Sequence, residues 1–254
     1  MAPAPNLDSL IAKIRASAAK DRNILKALTN ASSTIAAAIQ LPPRYMPLTL
    51  TFVSYQQGDA IGKVAALVTL APIFAYVALG SWILARRELQ AACLFAGSVL
   101  NTVLCVAIKS QVRQPRPAGA TLRDFGMPSN HAQTSVFLAV YCVCLLWHGC
   151  TVRHAAFWKP ALTAAAVLLA VAVGASRVYL GEHSLAQVAV GSLVGGAAAV
   201  AWYGCYCLAL RPALIPILEH PLLRYFYVRD SSHVADVMRR EYEVHRTALQ
   251  TKAR

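Results

Sequence analysis

Residues 89–117 read LQAACLFAGSVLNTVLCVAIKSQVRQPRP, an apolar run that ends abruptly in a basic, proline-punctuated cluster. At about 1.5 Å rise per residue, the stretch 89–108 is long enough to cross a hydrocarbon core of roughly 30 Å as one α-helix. Four more runs of this kind surround it, at residues 64–84, 132–148, 160–175 and 188–210. The fourth is short and needs residues 174–179 to complete a crossing. Charges are nearly absent inside all of them, whereas the helices of a soluble core are shorter and carry polar stripes. The pattern therefore predicts an all-α fold, a polytopic membrane helix bundle of about five transmembrane helices.

Composition agrees. The chain has 254 residues, 57% hydrophobic and only 14% charged, with a formal net charge of +13. Nucleic-acid binding would need a soluble basic face with stacking or base-reading groups. Here the basic residues flank apolar helices or fall in the tails, which points to a membrane and phosphate-bearing lipids as partners, with no nucleic acid. The cysteines lie in or beside apolar segments. Cys142, Cys144, His148 and Cys150 share no helix face that would close a tetrahedron, so they read as small core residues, with no zinc and no disulfide framework.

Three regions follow. Residues 1–47 form a polar N-terminal tail, in which 8–28 has the spacing of a basic amphipathic helix and the composition of a transit peptide. Residues 48–210 form the membrane-embedded domain. Residues 211–254 form a C-terminal tail with a charged, helical segment over 231–250. Gly191 and Gly195, four apart in the last span, predict close approach of another helix of the same chain.

The charges beside the hydrocarbon fall in three clusters. The first holds Lys109, Arg113 and Arg116, spaced as one face of a helix end. The second is Pro128-Ser129-Asn130-His131, where Ser129 is placed as an N-cap and the free N–H groups after it form an anion site. The third is Ser176-Arg177, then His183, with Gln187 one helical turn later. Each cluster alone reads equally well as an interfacial or capping feature. Counting crossings puts all three on one side of the membrane. Lys and Arg neutralise phosphoryl oxygens, one His attacks phosphorus and a second protonates the leaving oxygen. No carboxylate cluster suited to magnesium lies in these segments, so the expected reaction needs no cofactor and no metal. Discounting charges reserved for the site, the positive-inside bias places the opposite end in the cytosol.

These residues resemble the type 2 phosphatidic acid phosphatase superfamily of membrane lipid phosphatases, whose motifs are Lys-x6-Arg-Pro, Pro-Ser-Gly-His and Ser-Arg-x5-His-x3-Asp. The first is complete at Lys109, Arg116 and Pro117. Asn130 replaces Gly in the second, and Gln187 replaces Asp in the third. The resemblance implies a catalytic set of His183 as nucleophile, forming a phosphohistidine, His131 as acid, and Gln187 orienting the nucleophile. It implies phosphate binding by Lys109, Arg116, Ser129, Asn130 and Arg177. The wider stretch, residues 48–246, is similar to the dolichyl diphosphatase branch, which also carries Gln at this position. That implies a polyprenyl diphosphate substrate, recycled after N-glycosylation at the lumenal face of the endoplasmic reticulum. The plant plastid phosphatidate phosphatases of the gamma type share much of the pattern and supply an alternative substrate and membrane. A non-catalytic lipid-binding protein of this fold is the third reading, opened by Gln187.

Overall fold

The computed structural model describes residues 53–56, 58–149, 155–232, 234 and 236–252, with 19, 21, 22 and 26. Those last four residues are helical and exposed. The rest of the 8–28 segment and the transit-peptide reading lie outside the described residues. The chain divides into the units Met1–Phe52 and Val53–Arg254. All that follows concerns the second.

The first crossing is α1 (Ala60–Thr69) followed by α2 (Ala71–Arg86), broken at Leu70 just before Pro72, whose ring leaves no amide N–H to continue the ladder. Arg87, at φ 53, ends α2 in the left-handed conformation, and Glu88 opens α3 (Leu89–Val112). α4 (Asn130–Cys144) runs on into a π-turn at Leu145–Gly149. α5 (Ala155–Tyr179) carries Pro160 inside it, so it begins earlier than the 160–175 run and ends at the completing residues 174–179. α6 (Leu185–Cys205) also passes into a π-turn, Tyr206–Leu210. Among the described residues, five helices are long and apolar enough to cross a membrane: Ala60–Arg86, Leu89–Val112, Asn130–Gly149, Phe157–Tyr179 and Leu185–Glu219. Short helices α7 (Arg211–Leu214) and α8 (Pro221–Tyr225) and the charged α9 (Val237–Lys252) follow.

α4 is the central helix, packed against α3, α5 and α6. Its Phe137 and Tyr141 form the core with Leu94, Ala199 and Tyr203. Large apolar side chains point outward instead: Leu193 is 73% exposed and Leu208 85%. Lipid is as apolar as a protein interior, so such a surface is stable only in a bilayer. The two glycines of α6 do what their spacing predicts. A Cβ on Gly191 would meet the Ser129 carbonyl at 2.7 Å, and one on Gly195 would collide with the Gln133 backbone. The α4–α6 contact is thus backbone against backbone, and it seats Ser129 beside the start of α6. Polar bonds fix the remaining neighbours. Gln133 Nε2 donates to the Asn101 carbonyl (2.9 Å), Trp202 Nε1 to the Cys93 carbonyl (2.9 Å), and Thr69 shares a 2.8 Å hydroxyl pair with Ser176.

The end of the bundle holding Arg86 and Glu88 is closed by the C-terminal segment. Glu88 accepts from Arg229 Nε (2.8 Å) and from the Ser231 hydroxyl (2.8 Å), and Arg86 donates to Glu241 (2.6 Å). The opposite end is formed by the α3–α4 and α5–α6 loops.

Candidate active site

The helical face expected for Lys109, Arg113 and Arg116 does not form. α3 stops at Val112, and Arg113 caps it at φ 49 with its side chain donating back to the Ser110 carbonyl at 2.9 Å. Pro115 and Pro117 forbid further helix. Arg116 reaches the site through a short antiparallel pairing instead: Pro115 bridges Phe125, and the Gly126 N–H donates to the Gln114 carbonyl at 2.7 Å. In that register Arg116 and Asp124 are cross-strand neighbours. Arg116 Nε donates to Asp124 at 2.7 Å, and Lys109 Nζ reaches the same carboxylate at 3.3 Å.

The third cluster is built by a tight turn. α5 ends at Tyr179, Gly181 takes φ 71, and the N–H groups of Glu182 and His183 both donate to the Arg177 carbonyl at 3.1 Å. Glycine serves that left-handed position because it has no Cβ to clash. Ser184 then caps α6 in a capping box with Gln187.

His183 sits at the centre of these elements, and its tautomer follows from its partners. The Ser184 N–H donates to Gln187 Oε1 (3.2 Å), and Gln187 Nε2 donates to the Pro115 carbonyl (2.9 Å) and to Gln114 Oε1 (3.2 Å). Those neighbours fix which end of the amide is oxygen. His183 Nδ1, 3.1 Å from Oε1, must therefore donate. Nε2 carries the lone pair and accepts from Arg116 Nη1 at 3.0 Å. Burial, then the charges of Arg116 and Arg177, pull the His183 pKa down to about 3, against the opposing hydrogen bond to Gln187.

The other candidates lie around it. Ser129 is the N-cap residue of α4, its N–H donating to the Gln187 carbonyl at 3.0 Å, yet its buried hydroxyl has no hydrogen-bond partner. Asn130 and His131 occupy the first turn of α4, and His131 is within electrostatic reach of Arg177, Arg116 and Lys109. Arg177 is 2% exposed, and its Nε is likewise unpartnered. A buried donor left unmet costs about 1–3 kcal/mol. Two such donors beside a cation cluster fit an anion that supplies acceptor oxygens.

Four site residues escaped the sequence reading: Gln114, Thr121, Asp124 and Glu182. Glu182 is buried between Arg116 (3.5 Å) and Arg177 (3.9 Å), and its Oε1 accepts from the Thr121 hydroxyl and N–H. Burial works to raise the pKa of Asp124, but hydrogen bonds from Arg116 and Lys109 and their charges hold it below the ordinary carboxylate value. A signal was available: between Glu88 and Glu219, Asp124 and Glu182 are the only acids in the sequence. Among the described residues, no three His, Cys, Asp or Glu side chains converge as a metal-binding group.

A family profile described as the PAP2 superfamily matches residues 90–209. Dolichyldiphosphatase 1 of Callithrix jacchus is 34% identical over 225 residues, covering 84% of this chain and 94% of its own length. Lipid phosphate phosphatase gamma of Arabidopsis thaliana is 35% identical over 225 residues, covering 82% of this chain and 94% of its own. Among solved structures, the transmembrane PAP2-type phosphatidylglycerolphosphate phosphatase from Bacillus subtilis superposes with a TM-score of 0.50 at 20% identity, covering 72% of this chain and 86% of that one, a likeness of fold.

Proposed function

Because the chain belongs to the PAP2 superfamily and is a multi-pass membrane hydrolase, we propose that it converts dolichyl diphosphate to the monophosphate plus phosphate. The single observation that carries the mechanism is the His183 tautomer, Nδ1–H bonded to Gln187 and Nε2 turned to the cations. Nε2 attacks the terminal phosphorus, and the bond from that phosphorus to the bridging oxygen breaks. His131 gives its proton to the departing dolichyl phosphate. The same His131 then takes a proton from water, which attacks the phosphohistidine and releases inorganic phosphate. Lys109, Arg116, Arg177, the Ser129 hydroxyl and the Asn130 N–H hold the equatorial oxygens as charge develops. Arg116 must leave Nε2 for a phosphoryl oxygen before attack, which couples substrate binding to exposure of the nucleophile.

The reading extends to location. An endoplasmic reticulum membrane, with residues 109–129 facing the lumen, agrees with the charges at the other end of the bundle, where Arg86, Arg87, Arg211, Arg224 and Arg229 gather. Recycling of the lipid carrier of N-glycosylation follows from that placement. Purified protein is expected to release phosphate from dolichyl diphosphate with chelator present, and His183→Ala to abolish release. Turnover that survives His183→Ala, or that disappears with chelator, refutes the mechanism. The likeness to lipid phosphate phosphatase gamma keeps a second substrate in view. Competing phosphatidate against dolichyl diphosphate over one preparation decides between them, and a clear preference for phosphatidate favours a plastid-type enzyme.

A further inference from the structure

Lys109 Nζ and Arg116 Nε, both cations of the first cluster, share one partner in Asp124. The two carboxylates of the site differ in freedom. Glu182 has a side chain only 6% exposed and is held by Thr121. Asp124 has a side chain 54% exposed, on a polar loop. One carboxylate is enclosed and the other faces solvent. Lys109, Arg116 and Arg177 carry three positive charges against two negative, a net of +1 that becomes +2 when Asp124 withdraws. A carboxylate bridging a Lys and an Arg uses the donors that two phosphoryl oxygens would use.

We propose that Asp124 is an internal competitor for the phosphoryl pocket, displaced by the lipid phosphoryl group and returning to expel inorganic phosphate after hydrolysis. The proposal rests on the phosphatase reading above. Its consequence is product release. A lipid substrate is confined to the bilayer, so its head group meets the pocket at high effective concentration and fills the site against Asp124. Free phosphate has no such tether, so once the bond to the lipid is broken Asp124 regains its cations and shortens the stay of phosphate.

The test uses the full chain in detergent. Inorganic phosphate is titrated by calorimetry into wild type, Asp124→Asn and Asp124→Ala, and is then assayed as an inhibitor of lipid turnover. An ion pair with one exposed partner sets the scale, so phosphate is expected to bind about three- to tenfold tighter in both variants, with KM for the lipid falling in step. Unchanged or weaker phosphate binding overturns the proposal. Weaker binding is what a residue that merely holds Arg116 in place would give. Calorimetry needs no turnover, so failure of the dolichyl diphosphate reading appears separately, in the wild-type assay alone.

Discussion

Replacing Gln187 by Asp would complete the superfamily's third motif, and the structure predicts that it damages this protein. Gln187 is 2% exposed and its side chain serves four neighbours at once. Its Oε1 orients His183 and closes the capping box of α6, and its Nε2 donates to Pro115 and Gln114. Asp is one methylene shorter and donates nothing. It also places a carboxylate against the Pro115 carbonyl, itself an acceptor. An acceptor deprived of its donor costs about 1–3 kcal/mol. Gln114 and Pro115 are both exposed residues, so water recovers part of this loss and sets it toward the lower end of that range. Felt in the transition state, that range is a fall of roughly five- to a hundredfold in kcat/KM. The gain from pairing a carboxylate with the imidazolium works the other way. Gln187→Glu, equal in length, carries the same carboxylate and loses the same donors but keeps the cap, so its difference from Gln187→Asp isolates the effect of length. The assay is phosphate release from lipid diphosphate by Gln187→Asp, Gln187→Glu and wild type, with thermal unfolding in the same detergent. An Asp variant as active as wild type, with an unchanged Tm, would refute the claim that the donor bonds hold His183 in place.

Further outcomes follow from other contacts. With His183 held near 3, the acid limb of kcat/KM from this residue lies well below pH 6.5, and Arg116→Ala moves it upward in the residual activity. The same depressed pKa makes His183 a source of acid sensitivity: its contribution to stability is complete above pH 6.5 and is lost as pH falls toward 3, because the unfolded chain takes the proton first. Thermal unfolding across that range checks the sign. Gly195→Ala drives a Cβ into the Gln133 backbone and is expected to cost about 1–3 kcal/mol, read as a lower midpoint of denaturation. Glu88→Gln weakens the tie to Arg229 and Ser231 at the far end of the bundle, so the Tm drops while kcat stays at the wild-type level.

Much of this molecule is written locally. A helix hydrogen-bonds within its own segment, and the bilayer demands that it do so, so apolar length alone marks the crossings. Gly191 and Gly195 declare a close helix contact for a similarly local reason, since only a missing side chain allows it. The ends were less legible. Arg113 and Arg116 are spaced like one helix face, but the helix stops at Val112 and a cross-strand pairing with Phe125 carries Arg116 to the site. That pairing joins residues ten apart through backbone bonds, which no periodicity records.

Sequence by itself determined the five crossings, the shared side of the three clusters and the cationic, histidine and hydroxyl residue types gathered there. These depend on hydrophobic length, parity and charge, quantities that add along the chain. Only the tertiary structure decided which atoms meet. It turned Nε2 of His183 toward Arg116, spread Gln187 across four partners, and set Asp124 on the two cations that a phosphoryl group would need. Hydrogen bonds are directional and act within about 3 Å, so their pattern appears only once distant segments are packed together.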